Sequence, residues 1–440
     1  MGNFLNTIYH LKKDGPLKTG CAVLERFQKE VPYVYPGVSE EEKEYQREVS
    51  RRFSPVLVSI LVPVYETEEA YLRAMIGSCL EQTYERLELI LADASESTRP
   101  QEVITSYDDP RIRYIKLREN AGIAGNTVAA MKEARGDYML LLDHDDLLTA
   151  DALYELVREA VSTAKEGQSP VLVYADEDHT DAEGTGFFNP NRKPGADLDL
   201  LLGNNYICHP AMVRSDVLNR IGLSSRYDGA QDYELYLKIF GEVLFEDGRY
   251  RPEYCNKIRH VQKVLYHWRQ HEGSTSLNPA GKGYAYEAGR RAVEDFVEEH
   301  FEKCPVTELF HRGYYRVEWG ARLWEIRPEV GAAGGLVYKN GKAISGIYRS
   351  DRSKKDKYLN LNRLFSGYMH RADLVRRAYA LDIRTVTPAP EFEALREELL
   401  DEARADGSEE AYRKASLTFA EQLHKSGRIL LYDRKCSIFQ

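Results

Sequence analysis

Four polar residues, Asp143-His144-Asp145-Asp146, follow directly after the apolar stretch from Tyr138 to Leu142. Carboxylates this close together repel one another, and their pKa values would rise unless a cation were bound. Oxygen ligands suit Mg²⁺ or Mn²⁺, particularly when a diphosphate completes the shell. The cluster therefore predicts a divalent-cation site. An acidic, solvated turn that caps a helix beginning near Thr149 is the competing interpretation.

Two further apolar stretches end in residues that could contact the same ligand. Val56 to Val64 is nearly all aliphatic and leads into Tyr65, and Leu87 to Ala92 leads into Asp93. Such continuous apolar runs are typical of strands buried on both faces of a parallel sheet. Ligands bind beyond the carboxyl ends of the strands in these sheets, so these polar residues and Asp143 are expected to share one edge.

The segments between these strands have helical or short-strand character. Helices are predicted for residues 67–82, 100–107 and 127–134, and a short strand is predicted for residues 113–117. Alternating strands and helices indicate a right-handed, doubly wound α/β domain. The predicted fold class is therefore α/β.

Four segments are predicted along the 440 residues. Residues 1–54 form an N-terminal helical arm, and residues 55–276 form the main α/β domain. Residues 277–304 form a helical connection. Residues 305–440 form a smaller α/β domain without catalytic residues, in which Asn340-Gly341 marks a β-hairpin.

Composition excludes several classes of protein. A net charge of −10 argues against nucleic-acid binding, which needs a basic surface. The six cysteines form no CxxC pair, so a zinc knuckle is not expected. The sequence also lacks a run of about 20 apolar residues that would span a bilayer. We therefore expect a cytoplasmic protein whose membrane contact, if any, is peripheral.

Six motifs occur in an order that resembles glycosyltransferase family 2, whose domains have the GT-A fold. The resemblance covers about residues 56 to 276 and implies a mixed sheet. The motifs are VSILVPVY (58–65), LILADAS (89–95), RENAGIAGN (118–126), GDYMLLLDHDD (136–146), GAQDYELYLKI (229–239) and LYHWRQHEGSTS (265–276).

The resemblance assigns one set of residues to a nucleotide-sugar donor. Asp93 would accept a hydrogen bond from the ring N–H of uracil or thymine, and Tyr65 would flank the base. Asp143 would lie near the ribose. The complete donor set is Pro63, Val64, Tyr65, Glu66, Asp93, Asn120, Gly122, Asn126, Asp143 and His144.

The same resemblance implies the residues for metal binding and catalysis. Asp145 would bind Mn²⁺ or Mg²⁺ directly, with Asp143 nearby and His267 completing the shell. A core histidine beside Trp268 is the alternative interpretation of His267. Asp232 would be the general base at the start of a helix, and Glu234 is the competing carboxylate.

A third set is assigned to the acceptor side. It consists of Asp176, Arg192, Lys193, His209, Gln231, Trp268 and Arg269. Arg192 and Lys193 could bind an acceptor diphosphate, although ordinary loop charge explains them equally well. The run Asp176-Glu177-Asp178 is interpreted as a solvated loop, and a second metal site is the alternative.

The resemblance implies a metal-dependent, inverting glycosyltransferase. It would move a sugar from a UDP or dTDP donor to a hydroxyl of a lipid-linked saccharide in bacterial surface polysaccharide synthesis. A catalytically inactive nucleotide-sugar-binding or partner-binding protein is the alternative. A sugar nucleotidyltransferase is disfavoured because no Gly-rich basic loop follows the first strand. Homo-oligomerisation stays open.

Overall fold

The computed structural model describes residues 11, 15–16, 18–25, 32–53, 55–164, 169–271, 283–349 and 356–440. Much of the predicted N-terminal arm and the start of the predicted connection, residues 277–282, lie outside these residues. Within them, residues 18–25 and Glu40–Ser50 are helical.

A nine-stranded mixed sheet forms the centre of the main domain. The first eleven strands are β1 Val58–Val64, β2 Leu87–Asp93, β3 Ile112–Lys116, β4 Tyr138–Leu141, β5 Leu147–Leu148, β6 Leu172–Thr180, β7 Phe187–Asn191, β8 Ala211–Arg214, β9 Phe245–Glu246, β10 Arg249–Tyr250 and β11 Ile258–Arg269. The order in the sheet is β3-β2-β1-β4-β8-β6-β11-β5, with β7 paired to β6, while β9 and β10 form a separate hairpin.

Strands β3, β2, β1 and β4 are parallel, whereas β8 is antiparallel to β4 and to β6. Side chains that alternate along β1 enter different cores: Ile60 packs in one and Leu61 in the other. Apolar cores on both faces explain why the strand sequence is nearly continuously aliphatic. The prediction of an α/β fold with a mixed sheet is confirmed.

Helices cover both faces of this sheet and continue into the C-terminal segment. They are α1 Glu40–Ser50, α2 Glu69–Leu80, α3 Arg99–Thr105, α4 Gly122–Glu133, α5 Ala152–Ala164, α6 Leu198–Leu201, α7 Ser215–Ile221, α8 Gln231–Leu244, α9 Gly283–His300, α10 Leu323–Ile326, α11 Glu393–Asp406 and α12 Glu409–Lys425. None of the helices in the described ranges combines the length and apolar character needed to cross a membrane.

The C-terminal segment contains three small sheets and a third apolar core. Its strands are β12 Val306–Glu308, β13 Tyr315–Val317, β14 Val330–Gly334, β15 Val337–Lys339, β16 Lys342–Ala343, β17 Arg376–Ala378, β18 Thr387–Pro388, β19 Ile429–Tyr432 and β20 Ile438–Phe439. Strands β15 and β16 are antiparallel, and Asn340 and Gly341 between them have φ values of 51° and 76°. The predicted Asn-Gly hairpin is confirmed, because both turn residues adopt the left-handed region.

Buried polar contacts attach the C-terminal segment to the main domain. The guanidinium of Arg327 pairs with Asp199 at 2.8 Å, and both side chains are almost inaccessible to solvent. Arg371 donates to the carbonyl of Arg192 at 2.6 Å and to Oδ1 of Asn191 at 2.8 Å. These contacts connect the segment to the residues that follow β7. The four domain boundaries themselves stay a prediction.

Candidate active site

Asp93 ends β2 at the edge where β1 and β4 also end, and it is completely buried. Its Oδ1 accepts from the backbone N–H of Ser95 at 2.8 Å. Its Oδ2 accepts from the hydroxyl of Tyr114 at 2.8 Å and from Nζ of Lys116 at 3.2 Å. Sequence reasoning missed both partners, although each lies on β3, the neighbouring strand. Together they fix the orientation of the Asp93 carboxylate.

The residues after β1 contribute a turn and an exposed ring. Tyr65 is 43% exposed beyond the buried Val64 and the half-buried Pro63. Glu66 has a φ of 46°, and its carboxylate accepts from the hydroxyl of Ser97 at 2.6 Å and from the N–H of the same residue at 2.9 Å. These hydrogen bonds lower the pKa of Glu66. Glu66 therefore holds the turn after β2 in place.

The loop before α4 is locked by two asparagines. Oδ1 of Asn120 accepts from the amide of Asn126 at 3.0 Å and from the N–H of Gly122 at 3.1 Å. Gly122 has a φ of 76°, and a Cβ there would lie 2.4 Å from Oδ2 of Asp228. Glycine is therefore required by both conformation and space. Asp228, which the sequence analysis did not select, adds a carboxylate at the start of α4.

Asp146 is the structural member of the acidic cluster. It is completely buried, and it accepts from the hydroxyl of Tyr266 at 2.5 Å and the N–H of Arg269 at 2.7 Å. Burial raises the pKa of Asp146 well above its usual range, and the charges of Asp145 and Asp143 raise it further. The competing interpretation of a solvated turn therefore does not hold for Asp146, which ties the cluster to β11.

Asp145 faces a histidine that the sequence analysis did not select. Nε2 of His271 lies 2.8 Å from Oδ2 of Asp145, and Nδ1 of His144 lies 4.0 Å from Oδ1. Arg269, predicted to face the acceptor, is 1% exposed and donates from Nε to the carbonyl of Asp145 at 2.6 Å. Its burial contradicts direct acceptor binding, and Arg269 positions the acidic cluster instead.

The structure does not bring His267 to Asp145. Nδ1 of His267 lies 2.5 Å from Oδ1 of the completely buried Asp178, which also accepts from the hydroxyl of Tyr33 at 2.7 Å. The His267 ring packs against Tyr35 and Phe187, with centroids 4.6 and 4.3 Å away. His267 thus has the environment of a core histidine. Trp268, which follows it, packs its ring against His179.

Asp143, His209 and Asp232 converge at the carboxyl end of β4. Nε2 of His209 lies 3.8 Å from Oδ2 of Asp143. Ligand atoms of Cys208, His209 and Asp232 lie within 4.8 Å of one another, and Oδ2 of Asp232 accepts from the amide of Asn205 at 2.8 Å. Loss of water around Asp143 raises its pKa, His209 opposes this rise, and Asp145 adds to it.

Glu234 points away from this group. It is 4% exposed and pairs with Lys238 one turn further along α8. Burial raises its pKa, and the lysine opposes this rise. Residues two apart on a helix face different sides, so only Asp232 reaches Asp143 and His209. Gln231, at the start of the same helix, accepts from the N–H of Gly229 at 2.8 Å.

The run Asp176-Glu177-Asp178 belongs to buried strand β6, so the predicted solvated loop is wrong. Asp176 binds Nε2 of His260 at 2.8 Å, and Glu177 accepts from the amide of Asn191 at 3.0 Å. Each of the three carboxylates has protein partners, because an unpaired buried carboxylate is costly. These partners also argue against a second metal site.

Lys193 and Arg192 have different environments. The Lys193 side chain is completely buried, and Nζ donates to Glu177 at 3.0 Å and to the carbonyl of Ile207 at 2.6 Å. A phosphate cannot reach it, so its predicted contact with an acceptor diphosphate is wrong. Lys193 instead holds the segment that carries His209. Arg192 stays half exposed, 3.4 Å from Asp176.

Asp145 and His271 bring together one oxygen and one nitrogen donor of the kinds that Mn²⁺ accepts. Among the described residues these two do not form a group of three ligand atoms with Asp143, whereas Cys208, His209 and Asp232 do form such a group. Mutual repulsion between the carboxylates of Asp143 and Asp145 would be relieved by a bound cation. We therefore place the candidate metal site at Asp145 and His271 instead of His267.

Comparisons with known proteins concern the main domain. The family model for Glycosyl transferase family 2 matches residues 59–222. Protein y4gI of Sinorhizobium fredii is 37% identical over 244 residues, which cover 54% of this chain and 25% of that protein. The O-antigen biosynthesis protein RfbC of Myxococcus xanthus is 29% identical over 269 residues, which cover 60% of this chain and 20% of that protein. The chain therefore matches about a quarter or less of these two relatives.

A third relative is shorter. UDP-Glc:alpha-D-GlcNAc-diphosphoundecaprenol beta-1,3-glucosyltransferase WfaP of Escherichia coli is 29% identical over 225 residues, which cover 50% of this chain and 80% of that protein. Among solved structures, TarS 1–349 of S. aureus has a TM-score of 0.40 at 17% identity, covering 56% of this chain and 66% of that chain. Residues 59–222 are therefore similar to the Glycosyl transferase family 2 model, the family that the motifs resemble.

Proposed function

We propose that this protein is a metal-dependent, inverting glycosyltransferase that uses a nucleotide diphosphate sugar. The convergence of Asp143, His209 and Asp232 at the carboxyl end of β4 carries this proposal. Asp232, at the start of helix α8, would act as the general base, and the acidic cluster would hold the leaving group. The two would lie on opposite sides of the anomeric carbon, as a single displacement requires.

The donor is proposed to carry uracil or thymine. Asp93 would accept from the ring N–H, with its carboxylate oriented by Tyr114 and Lys116. Tyr65, whose ring is exposed, would flank the base. The loop around Gly122, shaped by Asn120 and Asn126, would lie against the donor.

Asp232 is the proposed general base. As the acceptor oxygen bonds to the anomeric carbon, the bond from that carbon to the diphosphate breaks, and Asp232 takes the acceptor's proton. Asn205 donates to one carboxylate oxygen and leaves the other to face the acceptor. Attack from the side opposite the leaving group inverts the anomeric configuration.

Asp145, His271 and Asp143 are the proposed ligands of Mn²⁺ or Mg²⁺. When bound, the cation would neutralise charge that develops on the departing diphosphate. Arg269 and Asp146 would keep these ligands in position, because they tie the main chain of the cluster to β11.

The acceptor is proposed to be a lipid-linked saccharide in bacterial surface polysaccharide synthesis. The names of RfbC and WfaP support this class, since one concerns O-antigen and the other a diphosphoundecaprenol acceptor. Such an acceptor would place the protein at the inner membrane face, held by peripheral contact. His209 and the exposed Arg192 are the proposed contacts on the acceptor side.

The test is a transfer assay with a panel of UDP and dTDP sugars and a polyprenyl-diphosphate saccharide, with Mn²⁺ or excess chelator. Transfer should need the metal, and Asp232→Asn should lower turnover by about 10²- to 10⁴-fold while donor binding persists. Glu234→Gln is the matched control and should keep most activity, because its side chain points away.

Other outcomes decide against parts of the proposal. Donor binding without transfer to any acceptor would identify an inactive nucleotide-sugar-binding protein. Full activity in chelator would refute the metal role. Transfer only to a soluble metabolite or a protein would refute the polysaccharide acceptor but not the glycosyltransferase activity.

A further inference from the structure

Basic side chains gather where the C-terminal segment meets residues 190–193. Arg371 binds the main chain of Arg192 and the side chain of Asn191. The hydroxyl of Tyr358 donates to the carbonyl of Arg371 at 2.8 Å, and its ring packs on Tyr432 with centroids 5.4 Å apart.

Arg376 belongs to the same group. It is the residue opposite Tyr432 in the pairing of β17 with β19. The positive charges of Arg376 and Arg371 also oppose the burial that raises the pKa of Tyr358. Tyr358 therefore lies near both arginines.

Two of the three nitrogens of the buried Arg376 guanidinium have no acceptor among the described residues. Arg376 is only 8% exposed, and its Nε and Nη1 atoms have no hydrogen-bond partner in the described parts of the chain. Arg371 is 7% exposed, and its guanidinium already donates to Arg192 and Asn191, so the unsatisfied donors belong to Arg376. Buried charged donors without acceptors are costly, and native proteins usually satisfy them with a partner or a ligand.

Lys357 adds a cation that solvent can reach. Its Nζ lies over the ring of Tyr358, 5.6 Å from the ring centroid, which places it in the same group. Among the charged groups that act on Lys357, Arg376, Arg371 and Arg349 are positive and Asp197 is negative. The Asp197 carboxylate already accepts from the N–H groups of Leu200 and Arg377, at 3.2 and 3.1 Å. Positive charge is therefore in excess, and a bound anion would balance it.

We propose that Arg376, Arg371 and Lys357 form a binding site for a phosphate or diphosphate group. Planar guanidinium groups bind such oxyanions through paired N–H donors, and the lysine would supply a point charge. The site goes beyond the proposed transfer reaction and needs neither donor nor metal. A diphosphate-linked lipid and a free inorganic anion share this chemistry.

The test is calorimetric titration of the full chain with inorganic phosphate, pyrophosphate and geranyl diphosphate. The buffer contains EDTA, so that a cation at Asp145 cannot recruit the anion, and the ionic strength is held constant with chloride. Wild type should bind saturably, and Arg376→Gln should weaken binding by about tenfold or more. Lys357→Gln should weaken binding by a smaller factor, and Arg404→Gln, which removes an exposed charge elsewhere, should have no effect.

The probes distinguish the sources of the anion. Tighter binding of geranyl diphosphate than of pyrophosphate would indicate a lipid-linked ligand, and the reverse would indicate a free anion. Absence of saturable binding to wild type would overturn the site, as would equal binding by wild type and Lys357→Gln. If Arg376→Gln does not fold, the variant at the exposed Lys357 still tests the site. A protein that lacks glycosyl transfer but binds the anion would refute the proposed function without refuting the anion site.

Discussion

Nε2 of His271 lies 2.8 Å from Oδ2 of Asp145, whereas the ring of His267, four residues earlier, faces Asp178 in the core. The two histidines belong to one motif but have different environments. His267 lies within β11, and His271 lies just beyond the strand's end at Arg269. Of the two histidines, the one beyond the end of the strand is therefore the one that contacts the acidic cluster.

This difference predicts opposite results for two alanine variants. His271→Ala should weaken Mn²⁺ binding by about 10- to 100-fold, because one proposed ligand is lost. It should leave stability nearly unchanged. His267→Ala should keep metal affinity but lower the free energy of unfolding by about 1–3 kcal/mol, because Asp178 loses a buried partner.

Metal titration followed by electron paramagnetic resonance of Mn²⁺, together with urea unfolding, measures both effects. His144→Ala is the control within the same cluster. It should keep metal affinity, because Nδ1 of His144 lies 4.0 Å from Asp145 and this residue is not a proposed ligand. Loss of metal binding in His267→Ala, with His271→Ala unaffected, would restore the assignment made from sequence.

Lys193→Met should lower the free energy of unfolding by about 3–5 kcal/mol. Methionine retains the length of the side chain but leaves Glu177 buried without its cation. Removing one partner of a buried ion pair is costly because the other charge stays buried and unpaired. Arg192→Met is the matched control. Its half-exposed pair with Asp176 should contribute about 1 kcal/mol or less. Equal losses in the two variants, measured by urea unfolding, would contradict the buried role of Lys193.

Asp146 should make the metal-free protein sensitive to pH. Its folded-state pKa is raised, whereas the unfolded value is about 3.9. The folded protein therefore holds this proton more tightly, and the stability gained below about pH 4 is lost as pH rises through the folded-state pKa. Asp146→Asn mimics the protonated form and removes this dependence.

The measurement compares urea unfolding of wild type and Asp146→Asn from about pH 4 upward in chelator. The variant should gain relative stability with rising pH, by up to about 1.4 kcal/mol per unit. Mn²⁺ should reduce this gain, because the cation offsets the neighbouring charges. A difference that stays constant with pH would show that Asp146 is ionised throughout.

Local pattern predicted the strand ends well and the side-chain partners poorly. A strand buried on both faces needs a nearly continuous run of aliphatic residues. Such runs predicted the strands Val58–Val64 and Leu87–Asp93, and with them the position of Asp93 at a strand end. Its partners Tyr114 and Lys116 are contributed by the next strand. Sequence spacing does not reveal such cross-strand contacts.

Charge was the least reliable guide. The sequence predicted solvated or ligand-binding segments around Asp176, Glu177 and Lys193. The structure buries all three residues among partners from other elements. The family motif favoured Asp232 over Glu234, but it did not reveal that Glu234 pairs with Lys238. Buried ion pairs depend on tertiary contacts, which charge patterning along one segment does not encode.

The buried pair of Arg327 and Asp199 predicts how firmly the C-terminal segment is attached. Arg327→Met should lower stability by about 3–5 kcal/mol, because Asp199 on helix α6 becomes a buried charge without its cation. Arg322→Met, which breaks only exposed pairs, should cost about 1 kcal/mol or less.

The double variant Arg327→Met with Asp199→Asn decides whether the charge itself matters. Removing both charges should recover part of the loss, because replacing a whole buried pair is often nearly neutral. Hydrogen exchange locates the effect. Arg327→Met should speed exchange in β14, whose first residue Val330 donates its N–H to the carbonyl of Arg327 at 3.0 Å. Strands β1 and β2 should keep their protection. If the double variant loses as much stability as Arg327→Met alone, packing of the arginine against Phe301 and Trp319, and not its charge, attaches the segment.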